Sequence, residues 1–465
     1  MKKSYVCNGL SVAFAALLCL SSLWSCKKET TTAQKKDYDV AQIAQEAYLF
    51  GLPLVLMDIT RRLLVGTDTI GMNEFSHMAV FPDADFRDVV RPNADTYYSN
   101  ALLDLSGGPL VLSMPNTDGR YHLLQIMDAY TNVIASPGTR TTGNEGGEYL
   151  ISGPEWTGEV PAGMTEYKSP TKHLWIVGRT QVDSKEDGQT NVKPLMQQYN
   201  IRPLNEAGLA QDCAPIVSMR DPNKVVDAMS AQEFFNYLNC LLVINPPTAA
   251  DAEIVERMAK IGVAPGAQFD LTKFDADEQK KIAEVPQKVM ETLLAYRQTV
   301  PTINGWSTLG TSNIGNYGTD YLLRAHIANF GLGANQPVDA IYFSCGDKEA
   351  LSGAKKYILR FEDGKTPPVN AFWSLTMYSE DGYFVANELS RYTLGDRSNL
   401  TKDSDGATVI YIQHEKPEDA KLSNWLPAPE GNFNMVLRTY YPKAELLDAS
   451  WEIPALQTAE NHERK

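Results

Sequence analysis

The stretch "RPNADTYYSN", Arg91 to Asn100, puts an arginine, two asparagines, an aspartate and two tyrosines into ten residues and then passes into the apolar "ALLDL". Such side chains can activate water, hold a divalent cation or clamp a polar small molecule. Read as extended chain, period two sets Arg91, Asn93, Asp95 and Tyr97 on one side and Thr96 and Tyr98 on the other. Four polar groups on one face suit a solvated surface or a cleft better than a core. In "RYHLLQIMDAYTN" the same period groups Tyr121, Leu123, Gln125 and Met127 against His122, Leu124, Ile126 and Asp128. A glutamine among apolar neighbours needs a hydrogen-bond partner. Gln125 and Asp128 are therefore expected to join the Asn93/Asp95 face, with Arg140 in the following glycine-rich loop supplying a cation.

In an enzyme, Asp95 or Asp128 would activate water or bind calcium, magnesium or manganese, since such cations take oxygen ligands. Arg91, Arg140 or Arg438 would stabilise developing negative charge. The catalytic candidates are Asp95, Asp128, Arg91 and Arg140. The substrate-contacting candidates are Asn93, Tyr97, Gln125, Tyr317, Trp425 and Arg438. The cofactor expectation is a divalent cation, with no ligand set assigned. The plain alternative is structural: Asp95 pairs with Arg91 or Arg140, and the asparagines cap turns. A binding module would instead stack a carbohydrate or other small molecule on Tyr98, Trp306, Tyr321 and Trp425. A surface-interaction protein would show no deep pocket.

Other signatures are missing. The sequence contains no H-E-x-x-H and no G-x-S-x-G. "GLGAN" is too short for a dinucleotide fingerprint. "TKDSDGATVI" has Thr401 and Ile412 where a calcium loop needs carboxylates, so a hairpin turn on Asp405-Gly406 explains it better. The six histidines show no short ligand spacing.

The elements that must position these residues follow from punctuation and period. The chain begins "MKKSYVCNGLSVAFAALLCLSSLWSC", a basic start, a short apolar run and small residues, which reads as an export signal over residues 1–25. Leu23, Trp24 and Ser25 before Cys26 resemble a bacterial lipobox, which implies lipidation of Cys26 with palmitate-type chains and a cell-envelope location. Residues 26–38 read as a polar tether. Loss of the leader removes Lys2 and Lys3, taking the formal charge from −15 to −17. Such a body repels phosphate backbones, so nucleic acid is not an expected partner. The expected partners are a small-molecule substrate or ligand and the membrane, through the lipid; homo-oligomerisation is left open. Cys213, Cys240 and Cys345 remain, and packed free thiols are expected over a bridge.

"DYDVAQIAQEAYLFGLPLVLMDITRRLLVG" reads as a helix kinked or restarted at Gly51 and Pro53. The expected order is an N-terminal helix plus first β domain over 39–190, a helical region over 191–318, a second β domain over 319–457 and a polar tail over 458–465. Short strands between glycine/proline turns suggest sandwiches or jelly rolls, giving a mainly β, α+β protein. Pro286 is expected to kink a helix.

The run "RPNADTYYSNALLDLSGGPLVLSMPNTDGRYHLLQIMDAYTNVIASPGTRTTGNEGGEYLISGPEW" resembles the family catalogued as domain of unknown function 1254. "YLLRAHIANFGLGAN", "AFWSLTMYSEDGYF" and "NWLPAPEGNFNMVLRTYYP" resemble its usual partner, domain of unknown function 1214. The resemblance spans roughly residues 40 to 455. It implies two jelly-roll-like β domains in an exported bacterial protein and, as an expectation only, a hydrolase. It transfers no catalytic set.

Overall fold

The computed structural model describes residues 37–66, 71–87, 89–205, 208–209, 212–213, 221–310 and 312–459. Cys26, the leader and nearly all of the tether and tail lie outside them.

Alternating side chains build the first sandwich. Its larger sheet runs in the order Phe75–Met78, Thr96–Asp104, His173–Gln181, His122–Asp128, Val133–Ala135. The smaller runs Thr165–Lys168, Gly147–Ser152, Leu110–Met114, Asn200–Pro203. Ala101, Leu103, Leu124, Ile126, Leu174 and Ile176 close one core with Leu110, Leu112, Tyr149 and Ile151. The pairing of 200–203 with 110–114 carries this unit past the expected boundary at 190.

The second sandwich repeats the plan. One sheet runs Thr302–Ile303, Trp306–Ser307, Ala340–Cys345, Asn432–Pro442, Val369–Ser379, Thr393–Gly395; facing it are Trp425–Pro427, Thr408–Gln413, Tyr357–Phe361 and Gln457–Thr458. Phe343, Trp373, Leu375, Met435 and Leu437 meet Leu359, Phe361, Ile410 and Ile412 inside it. The expected turn is present: the Asp403 N–H donates to the Ala407 carbonyl at 2.9 Å, and Gly406 takes φ +85°.

A helical layer joins the units. Its centre is a single helix, Val40–Val65, packed against the helices Ala231–Ile244, Val285–Thr299 and Tyr321–Gly331. No second helix starts at Gly51 and Pro53: the helix runs on through both. The missing N–H of Pro53 removes one hydrogen bond, but both residues are buried and the surrounding packing keeps the segment helical. Gly51 has its own reason: an added Cβ would lie 2.4 Å from Leu238 Cδ2, so glycine lets the 231–244 helix approach. This helix is long and apolar enough to cross a membrane by composition, yet 72% of its most apolar window is buried, which makes it a core element.

Pro286 sits in the first turn of the 285–299 helix, separated from Ala276–Ala283 by Glu284, and so starts a helix where a kink was expected. The 321–331 helix stands where strands were expected; Asp320 caps it by accepting from the Leu323 N–H at 3.0 Å. The cysteine expectation is also corrected: Cys213 and Cys240 are bonded, and Cys345 is the buried free thiol among the described residues. Sequence spacing could not show that a loop returns Cys213 to the 231–244 helix.

Candidate ligand site between the two β units

Each sandwich has one sheet with a polar outer face, and the two faces meet. On the first, Tyr98 pairs opposite Arg179, and Leu123 opposite Arg179 on its other side. Tyr98, Arg179, Leu123, Tyr121 and Gln125 therefore share the face turned away from the 101/103/124/126 core. On the second, Tyr342 lies opposite Arg438, and Arg438 opposite Ser374. Period two adds Tyr440, Phe372, Thr376 and Tyr378 to that face, while Ile341, Phe343, Leu375 and Leu437 point into the sandwich. Apolar contacts of Tyr121 and Leu123 with Ala340, Phe372 and Tyr440 pin one edge of the junction.

Polar bonds lock the rest. Asp95 is 0% exposed. Its Oδ2 accepts from Ser374 Oγ at 2.6 Å and its Oδ1 from Arg397 Nη2 at 2.7 Å. Asn93 Nδ2 donates to the Tyr440 hydroxyl at 2.7 Å, while its Oδ1 accepts from the backbone N–H groups of Asp95 and Thr96. The Tyr378 hydroxyl donates to the Pro92 carbonyl at 2.7 Å. Arg438 donates to Thr376 Oγ1, to the Tyr378 hydroxyl and to the Arg91 carbonyl at 3.0, 2.8 and 3.2 Å. Arg91 takes a left-handed φ of +55° that aims this carbonyl inward, and its own guanidinium pairs with Asp347.

Arg179 donates from Nη2 to the Gly333 carbonyl at 3.0 Å, and its guanidinium lies 5.2 Å from the Tyr98 ring centroid. Its Nε and Nη1 are buried and make no well-formed hydrogen bond, although the Tyr98 hydroxyl is close enough to act on the guanidinium. Among the described residues, no carboxylate lies within ion-pair distance of Arg179 or Arg438. Burial acts to lower the pKa of both guanidiniums, but the facing tyrosines, with Asp95 as well for Arg438, shift it upward. Burial pushes the phenols of Tyr121, Tyr342, Tyr378 and Tyr440 upward. At neutral pH the seam holds charged guanidiniums and neutral phenols; the Asp95 carboxylate bonds Arg397 and also acts on Arg438 from a distance.

The structure brings together Arg91, Asn93, Asp95 and Arg438, with Gln125 on the Arg179 side. The predicted strand begins only at Thr96, so 91–95 is an irregular strap. Tyr97 therefore turns the other way, into the first sandwich, 4.9 Å from the Phe81 ring. Asp128 does not join Asp95. Its Oδ1 accepts from the Tyr130 and Asn132 N–H groups and its Oδ2 from Asn132 Nδ2, so it organises the strand-end turn. Arg140 pairs with Asp339 rather than Asp95, at 2.6 Å. Tyr317 packs with Leu323 and Ile327 in the helical layer. Trp425 is buried with Nε1 bonded to the Gln413 carbonyl, and Trp306 likewise to Pro454, so neither is a stacking platform. Tyr321 bonds Asp251 and lies under Arg324. Among the described residues, no three His, Cys, Asp or Glu side chains gather as cation ligands. Arg179, Tyr342, Tyr378, Tyr440 and Arg397 escaped the sequence reading. For Arg179 the only local mark was an arginine following the apolar run "LWIV" in its strand.

Two β sandwiches meeting at a polar seam define a two-unit, β-rich class of protein. Residues 72–203 match the family described as protein of unknown function (DUF1254), and 338–444 match protein of unknown function (DUF1214). The chain thus carries this N-terminal and C-terminal pair, one per sandwich, and the seam is where they touch. The VPA0106 protein of Vibrio parahaemolyticus is similar in structure: TM-score 0.69 at 25% identity, covering 90% of this chain and all (100%) of that one. An uncharacterized protein from Burkholderia cenocepacia aligns over 90% of this chain and 94% of its own at 11% identity, with a TM-score of 0.42. No curated protein matches the sequence.

Asp128 gives a pH signature. Burial raises its pKa to about 6, against the hydrogen bonds of Asn132 and Tyr130. A raised carboxylate pKa means the folded state holds its proton longer than the unfolded chain, so this contribution is present at low pH and lost as pH rises from about 4 to 6. Asp128→Asn does not titrate. Its stability relative to the parent should rise across that window by roughly 2–3 kcal/mol, measured by urea unfolding at stepped pH. A pH-independent difference would contradict the assignment.

Proposed function

We propose that the protein is an exported, lipid-anchored protein of the bacterial cell envelope that holds a small molecule in the seam between its two β units. The observation that carries this reading is the buried guanidinium of Arg179, which has no carboxylate partner among the described residues and two nitrogens without a well-formed hydrogen bond. A buried cation is costly unless something compensates it. Sites that keep such groups unpaired are sites prepared for a guest. Export is supported by the leader and by the Cys213–Cys240 bond, since disulfides persist in oxidising compartments.

Hydrolysis of a small substrate at the seam is the second reading. Arg179 and Arg438 favour it, because they would stabilise an oxyanion. It lacks a free base: both oxygens of Asp95 already accept hydrogen bonds, as do both of Asp128. The divalent-cation version finds no ligand set among the described residues.

Arg179→Met tests the binding reading. Methionine keeps the apolar stem and withdraws the unpartnered cation. The dialysed variant should be as stable as the parent, or up to about 2 kcal/mol more stable, in urea unfolding. A loss of several kcal/mol would make Arg179 a structural member and end the reading. The anchor is tested separately: Cys26→Ala should release the protein from the membrane fraction and abolish labelling by palmitate. Unchanged membrane partition would remove it.

A further inference from the structure

Around the loop Gly333–Asn335 the unpartnered groups form a pattern. Gln125 Nε2 donates to the Ala334 carbonyl at 3.0 Å, and Arg179 Nη2 to the neighbouring Gly333 carbonyl at 3.0 Å. The Tyr342 hydroxyl donates to Asn335 Oδ1 at 3.2 Å. The Tyr121 hydroxyl makes no hydrogen bond within the protein, and Asp339, Arg179 and Tyr342 act on it electrostatically. Arg140 occupies only Oδ1 of Asp339. The side chains left with unanswered atoms are buried: Gln125 at 0% exposure, Asp339 at 2%, Asn335 at 4%, Tyr121 and Arg179 at 5%.

What they leave over is complementary. Donors without acceptors are Arg179 Nε and Nη1 and Asn335 Nδ2; acceptors without donors are Gln125 Oε1 and Asp339 Oδ2; the Tyr121 hydroxyl can serve as either. The two free nitrogens of Arg179 form the fork that grips a carboxylate in two places. A bare carboxylate would satisfy the donors and leave Gln125 Oε1 and Asp339 Oδ2 unpaired. A neutral polyol would satisfy the acceptors and leave the guanidinium uncompensated. Both demands are met by one small molecule that bears a carboxylate and, close to it, a hydroxyl or amino group.

We propose that the guest at this seam is a small hydroxy- or amino-carboxylate, its carboxylate on Arg179 and its hydroxyl or ammonium on Gln125 Oε1 and Asp339 Oδ2. This rests on the binding reading above and adds the chemical class. An ammonium would gain further from the Asp339 carboxylate, whereas a hydroxyl would engage Gln125 Oε1 equally well.

Thermal unfolding of the full chain with lactate, alanine, propionate and glucose as probes tests it. Lactate or alanine should raise the midpoint saturably, and whichever acts identifies the donor. Propionate, which lacks the donor, should bind roughly tenfold more weakly or worse. Arg179→Met and Arg179→Lys should each lose the response, the lysine variant because a single ammonium cannot form the fork. Glucose acting while the acids do not would overturn the carboxylate class and leave the seam as a binding site. No response to any probe would mean that water fills the seam, overturning both. A response unchanged in the Arg179 variants would place binding elsewhere and overturn the assignment.

Discussion

The fold depends on one carboxylate. Asp95 belongs to the first β unit, but its hydrogen-bond donors, Ser374 and Arg397, belong to the second. With 0% exposure it cannot be solvated, so the two units must dock in the one arrangement that supplies both donors. A buried ion pair adds little net stability compared with an apolar contact, but breaking it strands a charge. It therefore acts on alignment more than on adhesion. Arg397 extends the clamp with Nη1 to the Val182 carbonyl at 2.6 Å, and its guanidinium rests 3.9 Å from the Phe372 ring centroid.

That alignment makes sense of the strap at 91–95. It has no ladder of its own, and three of its groups are held from the opposite unit: the Arg91 carbonyl by Arg438, the Pro92 carbonyl by Tyr378 and the Asn93 amide by Tyr440. The apolar cores behind each sheet fix where these tyrosines and arginines stand, because every second residue of the same strands is buried in a sandwich. Two dry cores thus enclose one polar layer. In that layer the protein's own groups leave two guanidinium nitrogens, an amide oxygen and a carboxylate oxygen unanswered around residues 333–339. The helical layer contains a comparable case: buried Arg324 lies over the Phe50, Tyr130 and Tyr321 rings, with Asp128 nearby.

Much of the architecture was legible. Glycine and proline punctuation placed the strands of both β units. Local rules failed where tertiary packing overrode them. Pro53 runs through a helix because the whole segment is buried, and Tyr97 faces a core because the strand starts at Thr96. Of the site, the residues from 91 to 95 were legible as unusual, and Arg438 as a cation. Their meeting was not legible, since Asp95 and its donors Ser374 and Arg397 are about three hundred residues apart. Arg179 was missed because one arginine in an apolar strand looks the same whether its head reaches solvent or a buried seam.

The most direct measurement is a crystal structure of the protein taken from its producing cells without unfolding, at a resolution that places individual waters. The account predicts continuous density larger than water, with two oxygens against Nε and Nη1 of Arg179 and a third polar atom between Gln125 and Asp339. Separate waters at those positions, or Arg179 turned to pair with a carboxylate of the protein itself, would contradict it.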